Sequence, residues 1–277
     1  MSAVDAALDF VILVLLSLTP ALVYLSWVRR TERFAGPGWG SVLKAFAYGA
    51  LFATIVAAVL EAVIVDLGTR ASGLLPGPEF TFLNSGSPAG EFFLVLVVAP
   101  FIEEALKASG VYAFRDELRS VADGPVFGAS VGLGFGFFET FLYGLAAFVV
   151  GGLVAGIAII LVRSVSSVLL HGSSTGMFGY GFARSRFKVP GPGSGSYYLV
   201  AVGMHAGYNF LASLATIAVL LGITGVGLDL AAIVALLAAI AFAFTAIEHV
   251  REVISVSDYP SLLPGANRYQ PPGPRAR

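Results

Sequence analysis

Seven residues of this chain carry protons or donate hydrogen bonds, and their spacing lets them act together. Glu103, Glu104 and Lys107 lie in LVVAPFIEEALKASGVYAF, Glu139 lies in VGLGFGFFETFLYG, and His171 and the pair His205/Asn209 follow in the next two segments. Glu103 and Lys107 are four apart and share a helical face, whereas Glu104 points about 100° away. On that pattern Glu104 is the carboxylate freer of the lysine and the better candidate to take a proton from water, with Glu103 as its neighbour in the base. Imidazole and carboxamide groups at His205 and Asn209, again four apart, can present two donors to one developing oxyanion. Such a set hydrolyses a peptide bond without a Ser or Cys nucleophile. The same residues admit a metal reading, in which Glu139, His171 and His205 form a His2Glu zinc set, although the spacing is not that of an HExxH helix. A proton-coupled transporter, or a binding protein with a retained polar site, would also bury such groups. Thr175 shares a face with His171 and is expected to return its hydroxyl to the backbone as a packing residue. Arg163 is expected to snorkel or pair with an acid and is given no catalytic role. His249, beside Glu248, is expected at an interface, and Glu61 is left without a role.

These residues have to be positioned by segments of unusual composition. Of 277 residues, 57% are apolar and 12% charged, with mean hydropathy +0.87, against about 25% charged in soluble domains. Net charge is -1 and there is no Cys, so no broad basic surface points to nucleic acid, and disulfides and thiolate sites are excluded. Seven stretches are long and apolar enough to cross a bilayer, at 7–28, 42–65, 92–114, 126–149, 153–183, 197–221 and 228–250, since a span needs about 20 residues. The expected fold is an all-α polytopic membrane protein, a bundle of about seven transmembrane helices, or eight if the long fifth span breaks near Arg163. The first stretch lacks a basic leader and is expected to stay as a span. Residues 1–254 read as one transmembrane catalytic domain and 255–277 as a Pro-rich cytoplasmic tail. Arg29, Arg30, Arg33, Arg115, Arg119, Arg184, Arg186, Lys188 and Arg251 fall in alternate connections, while the opposite ones hold only Arg70. The excess of basic residues on cytoplasmic loops then places the N-terminus outside and the C-terminus in the cytoplasm of a cell membrane. From the cytoplasmic ends, Glu104 lies roughly 15 Å deep, His171 roughly 18 Å, His205 roughly 12 Å and Glu139 roughly 20 Å. One convergent site between spans three and six follows.

The motifs resemble those of a known family. EEALK (103–107) looks like the EExxK signature of PrsW-type intramembrane proteases, within the wider group of CAAX-processing proteases and bacteriocin-immunity-like proteins. FGFFET (135–140) is similar to the second motif, with Thr140 where Asn usually follows the Glu. HGSSTGMFGYG (171–181) and HAGYNF (205–210) resemble the third and fourth, in family order and each on its own span. The resemblance implies an intramembrane endopeptidase acting on membrane-embedded or membrane-proximal proteins, in some relatives a regulatory anti-sigma factor. It implies Glu103 or Glu104 as base, His205 and Asn209 as oxyanion donors, Glu139 and His171 as positioners of water or metal, and Lys107 as support. Relatives of this kind are classed with metalloproteases. The related CAAX-processing proteases instead suggest a glutamate-activated water and no cofactor, with zinc at Glu139, His171 and His205 as the alternative. CAAX-type members usually carry His at the position of Glu139, which argues against prenyl-protein processing here. A non-enzymatic binding or immunity-like protein and a proton-coupled transporter remain the alternative functions.

Overall fold

In hydrocarbon a backbone can satisfy its N–H and C=O groups only within its own segment or in a closed barrel, so long apolar runs become helices. The computed structural model describes residues 3–34, 36–75 and 77–258, and among these there is no strand. Helix α1 spans Ala3–Arg29. Helices α2 (Trp39–Ala47) and α3 (Thr54–Leu74) are joined through a π-helical segment, Tyr48–Ala53. Helices α4 (Pro88–Phe93) and α5 (Ala99–Ala113) are joined in the same way by Leu94–Val98. Helix α6 covers Asp123–Ser164 and is followed by α7 (Ser167–Arg186), α8 (Ser194–Ala212), α9 (Leu214–Leu220) and α10 (Val226–Asp258). Of the tail expected over 255–277, residues 255–258 continue α10 and the rest lie outside the described residues.

Among the described residues, four helical runs are apolar and long enough to cross a membrane on their own, and the bent pair α8–α9, 51° apart, makes a fifth. The run through α4 and α5 is not among them because it carries Glu91, Glu103, Glu104 and Lys107. Two breaks occur in the region of the expected fourth and fifth spans. Gly152, at φ 74°, reverses the chain inside α6. A second break, at Val165–Ser166, lies beside Arg163, where the long fifth stretch was expected to yield. Leu8, Val63, Val149, Val150 and Leu237 stand on the outside, where lipid rather than water meets them.

The hairpin of α6 with its return through α7 forms the centre of the bundle. Apolar side chains gain little by leaving lipid for another helix, so contact depends on close backbone approach. Gly124, Gly128, Gly132 and Gly136 recur every fourth residue on α6 and form one stripe against α7. A Cβ on Gly128 would collide with the Thr175 carbonyl, and one on Gly132 with the His171 carbonyl. The stripe therefore sets how near His171 comes to α6. Gly132→Ala should cost about 1–3 kcal/mol through overpacking, read as a lower unfolding temperature in detergent. Gly203→Ala, where a Cβ meets nothing within 4 Å, should leave that temperature unchanged or slightly raised.

At the basic end of the bundle the α1–α2 connection is held by buried acids. Glu32 is 3% exposed and its Oε1 lies 3.5 Å from the Ser120 hydroxyl, while the Arg33 amide donates to Asp258 at 2.8 Å. Burial, reinforced by the carboxyls of Asp123 and Asp258 and only partly offset by Arg29, pushes the Glu32 carboxyl up to about 9 from an ordinary 4.5. Below pH 4.5 both folded and unfolded chains hold this proton. Between pH 4.5 and about 9 only the folded chain keeps it, so stability falls as pH rises through that window. Glu32→Gln should flatten that fall, as measured by thermal unfolding from pH 5 to 9.

Candidate active site

Pro100 is the second residue of helix α5, and its missing N–H leaves a carbonyl of the turn before it without a bonding partner, where the chain widens into the π-helical segment Leu94–Val98. Past this segment, Glu103, Glu104 and Lys107 are all buried. The Lys107 ammonium is 0% exposed and lies 2.8 Å from Glu104 Oε1 and 3.4 Å from Glu103 Oε2. It lies 2.9 Å from His171 Nδ1 and 4.3 Å from the centre of the Phe135 ring. The expectation that Lys107 would favour Glu103 over Glu104 is thereby corrected. Residues three apart on a helix are also neighbours, and the long lysine stem reaches the nearer carboxylate.

The two adjacent glutamates face different surroundings. Glu104 is enclosed, accepting from Ser174 at 2.9 Å, Thr175 at 3.2 Å and His205 Nδ1 at 3.1 Å, besides Lys107. Thr175 thus turns its hydroxyl to Glu104 and not to its own backbone. Glu103 lines a cavity of about 260 Å³ together with Glu61, Glu139, Arg163, His171, His205 and Asn209. Its Oε2 is 3.9 Å from His171 Nδ1 and 3.9 Å from His205 Nε2.

Hydrogen bonding fixes what each ring nitrogen offers. Lys107 can only donate, so His171 Nδ1 accepts, and Nε2–H donates to Glu139 at 2.8 Å. His205 Nδ1–H donates to the Glu104 carboxylate, which leaves an Nε2 lone pair facing Glu103. Glu139 is further held by Arg163 at 2.6 Å, and Arg163 also donates to Ser167 at 2.8 Å and stacks on Tyr143. Arg163 thus pairs with an acid, one of the two arrangements expected of it. Asn209 donates to the Val95 carbonyl at 2.8 Å, an oxygen in the widened π turn. His249 lies apart from the cavity, exposed beside Glu252.

The donor set fits a divalent transition metal once Lys107 gives up its hydrogen bond to His171 Nδ1. Glu103, His171 and His205 offer ligand atoms all within 4.8 Å of one another, and tetrahedral zinc ligands stand about 3.4 Å apart. Behind each imidazole lies a carboxylate, Glu139 behind His171 and Glu104 behind His205, the usual outer partner of a metal-bound histidine. Glu103 therefore stands in the ion-sized group where the sequence pattern had put Glu139, because Glu139 is turned to the far nitrogen of His171 and to Arg163. Among the described residues, Lys107 and Arg163 are the cations beside Glu61, Glu103, Glu104 and Glu139, so full ionisation would leave two surplus negative charges inside the bundle. Protons or a dication must balance them.

Breaking the Arg163–Glu139 pair alone should strand a charge. Arg163→Met is expected to destabilise by about 3 kcal/mol, and adding Glu139→Gln should recover most of that loss in a double-mutant thermal-unfolding cycle.

Residues 37–247 match a sequence model described as PrsW family intramembrane metalloprotease. The chain is 28% identical over 173 residues to "Protease PrsW" of Geobacillus kaustophilus, covering 61% of this chain and 65% of that protein, just under two thirds. It is 27% identical over 206 residues to "Protease PrsW" of Shouchella clausii, covering 73% of this chain and 83% of the relative. No solved structure matches it. With the family match spanning most of the chain and all four of its motifs lining or backing one cavity, this protein belongs to the PrsW family of intramembrane metalloproteases.

Proposed function

We propose that this protein is an intramembrane endopeptidase that hydrolyses peptide bonds of membrane-embedded or membrane-proximal proteins with a water held at Glu103. One observation carries this reading. Glu103 Oε2 faces two imidazole nitrogens at 3.9 Å each inside a cavity within the bundle, which is room for one small oxygen species among three polar atoms. Glu103 accepts a hydrogen bond from that water, and the lone pair of His205 Nε2 fixes its direction. Glu104 and Glu139 act from behind, holding the two rings in the required tautomers. Asn209 moves its amide from the Val95 carbonyl to the developing oxyanion. A divalent metal such as zinc, held by Glu103, His171 and His205, would supply Lewis-acid polarisation at the same point. The substrate class this reading implies is a membrane-embedded or membrane-proximal protein, such as a regulatory anti-sigma factor.

The alternating basic connections support a cell-membrane orientation with the N-terminus outside and the C-terminus cytoplasmic. A Cys introduced at Arg186, in a chain that has none of its own, should label with an impermeant thiol reagent only after the membrane is opened. Labelling in intact cells would reverse the orientation.

Activity is tested with purified protein and a dye-quencher-labelled single-span peptide. Glu103→Gln should lower cleavage by about 10²- to 10⁴-fold with little change in unfolding temperature. Elemental analysis of the same preparation, with chelation and zinc add-back, reports whether the metal is required. Undiminished cleavage by Glu103→Gln would overturn the proposal.

A further inference from the structure

Glu61, on α3, is not part of any of the four motifs, yet it lines the cavity opposite the α5 and α7 groups. Its Oε1 is buried and has no hydrogen-bond partner. Among the described residues most other polar side chains that line the cavity make a hydrogen bond, although the Nε of Arg163 is likewise without a partner. Glu139 is held by Arg163 and His171, Asn209 by the Val95 carbonyl, Tyr208 by Ser166, Ser167 by Arg163 and Thr54 by the Gly49 carbonyl. A carboxyl oxygen with no partner inside a bundle is costly, and the space beside it is the one a reacting amide would enter. The cavity's 260 Å³ amounts to about nine waters at about 30 Å³ each, so Glu61 and Glu103 face one shared pool of water. Because Glu61 and Glu103 line this one cavity, a proton can pass between a bond lying over Glu103 and the Glu61 carboxyl through the waters the cavity holds.

We propose that Glu61 is the proton carrier of the reaction, a catalytic residue additional to the motif set. This rests on the proteolytic reading above. The water held at Glu103 turns its second hydrogen from His205 Nε2 toward the Glu61 carboxylate, directly or through a further water, and loses that proton to it as its oxygen bonds to the scissile carbonyl carbon. The carbon–nitrogen bond then breaks, and Glu61 returns that proton to the departing nitrogen. One water and one amide give one carboxylic acid and one amine, and Glu61 ends as it began. Glu103 thus polarises and orients the water, while the mobile proton travels on a carboxyl that no cation or imidazole pins.

The test compares membrane-protein fragments in cells expressing wild type, Glu103→Gln, Glu61→Gln and Glu61→Asp. Fragments that vanish in Glu103→Gln should fall about 100-fold in Glu61→Gln and persist in part in Glu61→Asp, which keeps a carboxyl. In parallel, purified Glu61→Ala is assayed on the labelled single-span peptide with added formate and acetate. Formate should restore cleavage more than the bulkier acetate, a response that a purely structural residue does not give. Wild-type fragment levels in Glu61→Gln overturn the assignment and leave the proteolytic reading standing. Inactivity of Glu61→Ala that no added carboxylate relieves also overturns it, by making Glu61 structural. If no fragment depends on Glu103, the proteolytic reading falls and the Glu61 assignment with it.

Discussion

A charge inside a hydrocarbon-embedded bundle is tolerated only when other groups surround it, and the Lys107 ammonium is where this protein meets that constraint most severely. With no exposure at all, it must be shared among Glu103, Glu104 and His171. That sharing decides the site. It draws α7 toward α5, fixes the proton of His171 on Nε2, and so turns Glu139 to that side of the ring. Arg163 then closes the chain of charges on Glu139. Each partner is held by the next, so the polar set works as a network in which one missing member leaves a buried group unsatisfied.

The network could not assemble if the helices stood at ordinary separations. Helix pairs with bulky contacts sit 8–10 Å apart, and lipid provides no apolar force to compress them. The glycine stripe of α6 removes the side chains that would otherwise keep α7 away, and its members lie against the carbonyls of His171 and Thr175. Backbone packing and chemistry therefore share residues, since the turn of α7 that the glycines admit is the turn that presents His171, Ser174 and Thr175 to α5. The two π-helical segments act in the same direction. By widening the turn they free carbonyls such as that of Val95 and move the lining of α3 and α5 around the cavity.

Much of the site was legible because lipid makes polar residues conspicuous. Glu103, Glu104, Glu139, His171 and His205 stand out in apolar runs, and their estimated depths overlapped before any packing was known. Glu61 was equally visible, but it carries no neighbouring motif, and nothing in a linear pattern tells which side of α3 faces the cavity. Arg163 was legible as a group needing an acid, whereas the choice of Glu139, 24 residues earlier, depends on the reversal at Gly152. Ser174 and Thr175 fall three and four residues after His171 and so share its face, a signal that the sequence reads as packing for Thr175 and that Ser174 carries equally.

The sequence alone determined that the chain is helical, that it lies in a membrane, and which four segments bring polar groups into it. Those facts follow from composition and from the cost of an unpaired charge in hydrocarbon, which are properties of segments taken one at a time. Only the tertiary structure decided which of two adjacent glutamates faces the cavity. Glu103 does, and Glu104 is spent on Ser174, Thr175, His205 and Lys107. Only the tertiary structure placed Glu139 behind an imidazole and Glu61 on the wall of the cavity that Glu103 lines. Adjacent residues on a helix point about 100° apart, and which of those directions is inside is set by the neighbouring helices, whose positions no single segment contains.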